Sequence, residues 1–216
     1  MIFKDRSHAG RLLAVALARY AKRAGVIVLG LPRGGVVVAS EVAKQLQVPL
    51  DVMVVRKLGV PGWEELAMGA IASGGVRVIH EEVVRDARVT PADIDRVTAK
   101  EMLELQRREL AFRGHRAPPD VAGKTVLLVD DGIATGSTIR AAVRALQQRA
   151  PARLVVAVPV TAEDAADLLQ PLVDEFVALQ RPVPFSSVGQ WYGNFSQTTD
   201  AEARALLDEA AARVSS

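Results

Sequence analysis

The sequence predicts an α/β fold, a mostly parallel sheet flanked by helices, from three observations. Short uninterrupted apolar runs of strand length recur along the chain, and Val26-Ile27-Val28-Leu29 and Thr125-Val126-Leu127-Leu128-Val129 are the clearest of them. Runs of this kind mark strands buried on both faces. Each leads through a glycine-bearing turn into a segment with helical spacing, and this alternation implies βαβ units. Half of the 216 residues are hydrophobic and 24% are charged, enough apolar surface to exclude a disordered chain. No apolar run approaches the roughly 18 residues that a membrane-spanning helix needs. With 27 Lys and Arg against 25 Asp and Glu, the net charge of +2 makes no general electrostatic case for nucleic acid or membrane as a partner. The chain has no cysteine, which excludes disulfides, thiolate metal sites and cysteine nucleophiles. The cytoplasm is therefore the expected compartment.

In chain order, Leu12, Leu13, Ala16, Leu17 and Tyr20 repeat at helical spacing, with Asp5 or Ser7 as N-cap and Gly25 as terminator. A strand over Val26–Leu29 follows, then a glycine loop, a helix over Val36–Leu46 and a strand over Leu50–Val55. The stretch from Arg56 to Gly75 holds five glycines and Pro61, and it reads as a mobile loop or ribbon rather than core. The segment from His80 to Arg116 is rich in charge. Thr90-Pro91 starts a long helix there that runs to about Phe112 and ends at Gly114. After the strongest strand, Thr125–Val129, a helix spans about Thr138 to Arg149. Strands over Leu154–Val158 and Glu175–Leu179 flank a helix in Ala162–Leu169. An irregular stretch from Arg181 to Thr198 precedes a last helix, capped by Thr199 and Glu202, that runs to about Val214.

The strand Thr125–Val129 runs directly into Asp130-Asp131-Gly132-Ile133-Ala134-Thr135-Gly136-Ser137-Thr138. A loop of small residues between a buried strand and a helix N-terminus can turn several main-chain N–H groups toward one anion, and the helix dipole adds positive potential. Two acids directly before such a cradle make sense if they accept hydrogen bonds from neutral hydroxyls or face a cation, because an unpaired buried carboxylate is costly. A ribose 5-phosphate bound with magnesium meets both needs. A Walker A loop would require a lysine before its final Ser or Thr, and Gly136 stands there instead.

Val126 to Arg140 resembles the phosphoribosyl diphosphate signature of type I phosphoribosyltransferases. Gly30-Leu31-Pro32-Arg33-Gly34-Gly35 resembles that family's pyrophosphate loop, and Arg56-Lys57 resembles the basic pair before its flexible catalytic loop. The resemblance implies a Rossmann-like sheet in one domain spanning 1–216, with a charged helical insertion at about 80–118 and a small C-terminal hood at about 181–199. It further implies a magnesium-dependent transfer of ribose 5-phosphate from phosphoribosyl diphosphate to a small nitrogenous acceptor, nucleobases included, with release of pyrophosphate.

On this resemblance Asp130, Asp131, Gly132, Ala134, Thr135, Gly136, Ser137 and Thr138 bind the ribose 5-phosphate. Arg33, Gly34, Gly35, Arg56 and Lys57 bind the pyrophosphate. Arg33, Lys57, Asp130 and Asp131 carry the catalytic electrostatics. No side chain is assigned as a direct metal ligand, since magnesium would be held mainly by the substrate diphosphate. Leu58 to Met68 has the length and composition of a lid, or of an ordinary hairpin. In the 6-oxopurine members an acid stands where this chain has Ala134, which disfavours hypoxanthine and guanine.

Trp191, Tyr192 and Phe195 in the hood can stack on a planar acceptor ring, or they can cover the open end of the core. The charged insertion is expected to be a solvated helical layer or a surface for self-association. The competing function is a sensor that keeps the phosphoribosyl diphosphate site without catalysis. A phosphoribosyl diphosphate synthetase is disfavoured because the chain has no internal repeat.

Overall fold

The computed structural model describes residues 1–214. Its centre is a five-stranded parallel sheet of β1 (Val26–Gly30), β2 (Leu50–Val52), β6 (Thr125–Val129), β7 (Arg153–Val160) and β8 (Glu175–Gln180), in the order β2-β1-β6-β7-β8. All five residues of β1 are buried, and alternate side chains serve opposite faces. Val26 and Val28 join the core under α1 (Arg6–Ala16), α2 (Gly34–Leu46) and α7 (Asp200–Val214), while Ile27 and Leu29 join the core under α5 (Ser137–Gln147) and α6 (Glu163–Leu169). Burying a side chain of this size stabilises the fold by about 1.5–3 kcal/mol, so the continuous apolar runs account for the double-sided sheet.

The chain leaves β1 in one direction toward β2 and later crosses to β6 on the other side. The strand order therefore reverses between β1 and β6, the place where open α/β sheets bind ligands. Gly30 is paired with Val129, and the N–H of Leu31 donates to the Val129 carbonyl at 2.9 Å, so the two following loops emerge side by side.

The first helix begins as the sequence predicts, with Asp5 accepting from the N–H of His8 at 2.7 Å. It ends earlier than expected, passing into a 3-10 turn over Ala18–Tyr20, and Gly25 instead turns the chain into β1. The second helix starts two residues early, so Gly34 and Gly35 form its first turn rather than a preceding loop.

The larger departure is Arg56 to Gly75. This stretch belongs to an antiparallel sheet of β3 (Val55–Val60), β4 (Trp63–Ala72) and β5 (Val76–Ile79), with Leu58, Met68, Ala70 and Ile71 buried. Gly59 and Gly69 are strand residues, while Gly62, Gly74 and Gly75 lie in the turns between strands. A Cβ on Gly59 would lie 2.5 Å from the Glu64 carbonyl oxygen, and one on Gly69 would lie 2.3 Å from that of Val78. Leu58 to Met68 is thus a hairpin, with Pro61-Gly62 at its turn.

The insertion contains a short helix that the sequence did not reveal, α3 (Glu81–Asp86), and the expected long one, α4 (Pro91–Arg113), N-capped by Thr90 and ended at Gly114. It is more than a solvated layer. Leu105 and Phe112 enter the main core, and Arg113, 2% exposed at its side chain, binds Asp51 at 2.9 Å, Glu109 at 3.1 Å and the Val52 carbonyl at 2.8 Å. The last helix carries the expected reciprocal cap between Thr199 and Glu202. Among the described residues no helix is long and apolar enough to cross a membrane.

Candidate active site

The loop after β6 forms a small concavity of about 190 Å³, lined by Asp130, Gly132, Ile133, Ala134, Thr135, Gly136, Ser137, Thr138, Ile139 and Val188. The sequence forms this turn because Gly136 takes φ +75°, a left-handed conformation that costs a glycine little. Gly136 is the N-cap of α5, and no side chain caps that helix. The N–H of Ile133 is bound to the Val160 carbonyl at 2.9 Å, which fixes the start of the loop. Among the described residues, the amides of Ala134 through Thr138 donate to no protein carbonyl. Ala134, Thr135, Ser137 and Thr138, which flank Gly136, are exposed at the helix N-terminus. Main-chain N–H groups at a helix N-terminus arranged in this way can hold an anion.

Asp130 and Asp131 lie at the mouth of the cradle, wedged against the first turn of α2. A Cβ on Gly35 would stand 2.7 Å from Asp130 Oδ1, and one on Gly34 would stand 2.0 Å from Asp131 Oδ2. The two loops expected to act together are therefore in contact, and the paired glycines are what let them approach. Asp130 Oδ1 accepts from the N–H of Asp131 at 2.8 Å. Burial pushes the Asp130 carboxyl well above the usual carboxylate range, and the neighbouring Asp131 charge raises it further. Asp131 is also raised by burial, but the guanidinium of Arg6 opposes that shift.

Arg6 is a site residue that sequence reasoning missed. Its Nε donates to Asp131 Oδ2 at 2.7 Å, its Nη1 donates to the Ser196 carbonyl at 2.7 Å, and its guanidinium stacks 3.9 Å from the centre of the Phe195 ring. At the sequence level Arg6 is one basic residue in a charged N-terminus, 125 positions from its partner, and nothing local distinguishes it.

The basic groups expected around pyrophosphate are distributed unevenly. Arg33 is the N-cap of α2 and partly exposed, and among the described residues its side chain reaches Asp200 at 3.7 Å. Lys57 is exposed and 4.0 Å from Glu65. Arg56, in contrast, is bound to Glu101 of α4 at 2.6 and 2.8 Å, so it is engaged by the insertion rather than free beside Lys57.

The hood also departs from the simplest expectation. Tyr192 is buried between Phe3 and Phe195, with ring centroids 5.4 and 5.0 Å away, and its hydroxyl donates to the Asp131 carbonyl. Burial raises its pKa, keeping it a donor. Tyr192 is thus a pillar under the acidic pair and offers no open face for stacking. Trp191 and Phe195 are half-buried in the same small cluster, and one face of Phe195 is covered by Arg6. Asn194, Ser196, Gln197 and Arg6 line part of a separate concavity of about 440 Å³ between the hood and α1, α2 and α7, with Val37, Ala205 and Leu206 as its apolar wall.

Known proteins resemble this chain over most of its length. A family model described as phosphoribosyl transferase domain matches residues 6–180. The Mycobacterium tuberculosis protein Rv0571c, which carries a provisional phosphoribosyl transferase name, is 49% identical over 209 residues, 97% of this chain and 47% of that protein. The chain spans about half the length of the curated relatives it matches. A Bifunctional protein PyrR from Chloroflexus aurantiacus is 32% identical over 133 residues, covering 61% of this chain and 65% of that protein. The crystal structure of TT1426 from Thermus thermophilus superimposes with a TM-score of 0.87 at 43% identity, covering 97% of this chain and 99% of that one.

Proposed function

The chain belongs to this phosphoribosyl transferase family, and from that premise we propose that it transfers the ribose 5-phosphate unit of phosphoribosyl diphosphate to a small nitrogenous acceptor in the cytoplasm. The observation that carries the proposal is the junction of β1 and β6. There a loop with unengaged amides, an acidic pair and a glycine-opened helix turn meet at the end of two neighbouring strands.

In this reading the amides of residues 134–138 hold the 5-phosphate, and Asp130 and Asp131 accept hydrogen bonds from the ribose hydroxyls. The acceptor nitrogen bonds to C1 as the C1–O bond to diphosphate breaks, so positive charge grows on the sugar and negative charge on the leaving group. The Asp130-Asp131 pair faces the first, while the Gly34 and Gly35 amides with Arg33 and Lys57 face the second. Charges placed where charge develops are worth about 100- to 1,000-fold in rate for each donor.

Magnesium fits this donor set as a guest of the substrate. Among the described residues no three His, Cys, Asp or Glu side chains form a metal cluster, so a cation here would take its ligands mainly from diphosphate and water. When bound, it would neutralise charge on the departing diphosphate. The acceptor is assigned to the hood side, where Trp191, Phe195 and the polar hood residues lie. Tyr192 supports that wall from beneath.

The test is to follow diphosphate release from phosphoribosyl diphosphate with magnesium and a panel of nitrogenous bases. Release with one base, lost in Asp130→Asn, is the expected result. One observation favours the sensor alternative: Arg56, half of the expected basic pair, is already neutralised by Glu101. Tight phosphoribosyl diphosphate binding with no turnover across a broad panel would select the sensor and reject the enzyme.

A further inference from the structure

The insertion helix α4 and the hairpin of β3 and β4 face each other across a concavity of about 690 Å³, far larger than the 190 Å³ phosphate cradle. Its floor reaches Pro32 of the loop after β1 and Thr138 of the cradle, so it opens directly onto the proposed diphosphate position. Its far wall is cationic, with Arg96, Lys100 and Arg108 of α4 opposite Lys57.

These charges are incompletely compensated. Among the described residues the Lys100 side chain makes no hydrogen bond or ion pair, whereas Arg96 is held by Asp93 at 2.9 Å. Glu104 is shared by Arg107 and Arg108, which hold its carboxyl down to about 2. Glu64, Glu65 and Glu101 also line the space, but Glu101 is consumed by Arg56 and Glu65 sits 4.0 Å from Lys57. No aromatic side chain lines it, so the walls suit a chain of anionic groups rather than a planar ring. The wall is firmly mounted, because the Arg56–Glu101 pair ties α4 to β3 and buried Arg113 ties its end to β2.

We infer that this concavity is a binding subsite for an oligophosphate anion, with Lys100 and Arg108 of the insertion extending the diphosphate position contributed by the loop after β1. The inference rests on the proposed function for where the diphosphate lies, and it adds a regulatory consequence: an oligophosphate occupying the subsite competes with phosphoribosyl diphosphate.

Calorimetric titration of the whole chain with tripolyphosphate tests this, with ribose 5-phosphate as a separate probe of the cradle. Tripolyphosphate should bind more tightly than diphosphate and should weaken as salt is raised. Lys100→Glu should weaken it about tenfold, the range of one direct charge contact, while ribose 5-phosphate affinity stays unchanged. Lys44→Glu makes the same charge change on α2, away from the concavity, and should leave tripolyphosphate binding intact.

Equal binding by wild type and Lys100→Glu would overturn the subsite. So would an equal loss in Lys44→Glu, or absent tripolyphosphate binding in protein that still takes ribose 5-phosphate. The converse pattern, tripolyphosphate bound and ribose 5-phosphate refused, would keep the subsite and reject the transferase reading. ATP as a probe should gain nothing over tripolyphosphate, and a gain above about tenfold would overturn the bare oligophosphate class.

Discussion

Gly34→Ala adds a single methyl group where the two ligand loops touch. Its φ lies outside the left-handed region, and it occupies the first turn of α2, so helix propensity alone favours alanine by up to about 1 kcal/mol. Packing opposes this. The new Cβ would stand 2.0 Å from Asp131 Oδ2 and 2.6 Å from Arg6 Nε, and both partners are mostly buried, with side-chain exposures of 16% and 11%. Forcing that pair apart leaves a buried charge without its partner, at a cost of about 3–5 kcal/mol. The net expectation is a loss of about 2–4 kcal/mol. With a urea m-value of about 2–3 kcal/mol/M for a chain of this size, the unfolding midpoint should fall by about 1 M. The control is the same substitution in an Arg6→Ala/Asp131→Ala background, where the clashing atoms are gone and alanine should be neutral or stabilising. A single variant as stable as wild type, or a cost that persists in the background lacking both partners, would refute the claim that this glycine exists to admit the acid–arginine pair.

Three further outcomes follow from the same structure. Because burial and the neighbouring Asp131 charge hold the Asp130 carboxyl well above the ordinary range, the native state binds more protons than the unfolded one above about pH 4. Stability of the free protein should therefore decline as pH rises from about 4 through the raised pKa, and urea titrations should show a flatter dependence in Asp130→Asn; His80, lowered by burial, acts in the opposite sense and is common to both proteins. Gly136→Ala must place a side chain at φ +75°, costing about 1–2 kcal/mol in thermal unfolding, and should weaken ribose 5-phosphate binding in titration as the cradle shifts. Arg113→Ala strands Asp51 and Glu109 and should destabilise by about 3–5 kcal/mol, whereas Arg113→Met, which keeps the volume, should cost less in the same denaturation assay.

Particular residues show what the sequence could reveal and where it could not. The parallel sheet was legible because Val26–Gly30 and Thr125–Val129 are buried on both faces, and two-sided burial leaves an unbroken apolar run. The loop after β6 and the helix start that follows it were legible because small residues, a helix start and two acids are contiguous. The ribbon was one of the readings the sequence allowed, but its packing into the core was missed because Gly59 and Gly69 are selected by crowding from a neighbouring strand, and one chain segment cannot disclose its neighbour. Arg6, the clamp on Arg56 and the burial of Tyr192 are all contacts between distant segments, so composition and local spacing carry no trace of them.

The pairing of Gly30 with Val129 sets a ruler for this molecule. Adjacent strands stand about 4.8 Å apart, a length fixed by main-chain geometry rather than by any side chain. Substitutions around the two loops can therefore alter what each one grips, but the gap between the grips is inherited from the sheet. Specificity could diversify along the loops and the hood without the two halves of the site ever losing their alignment.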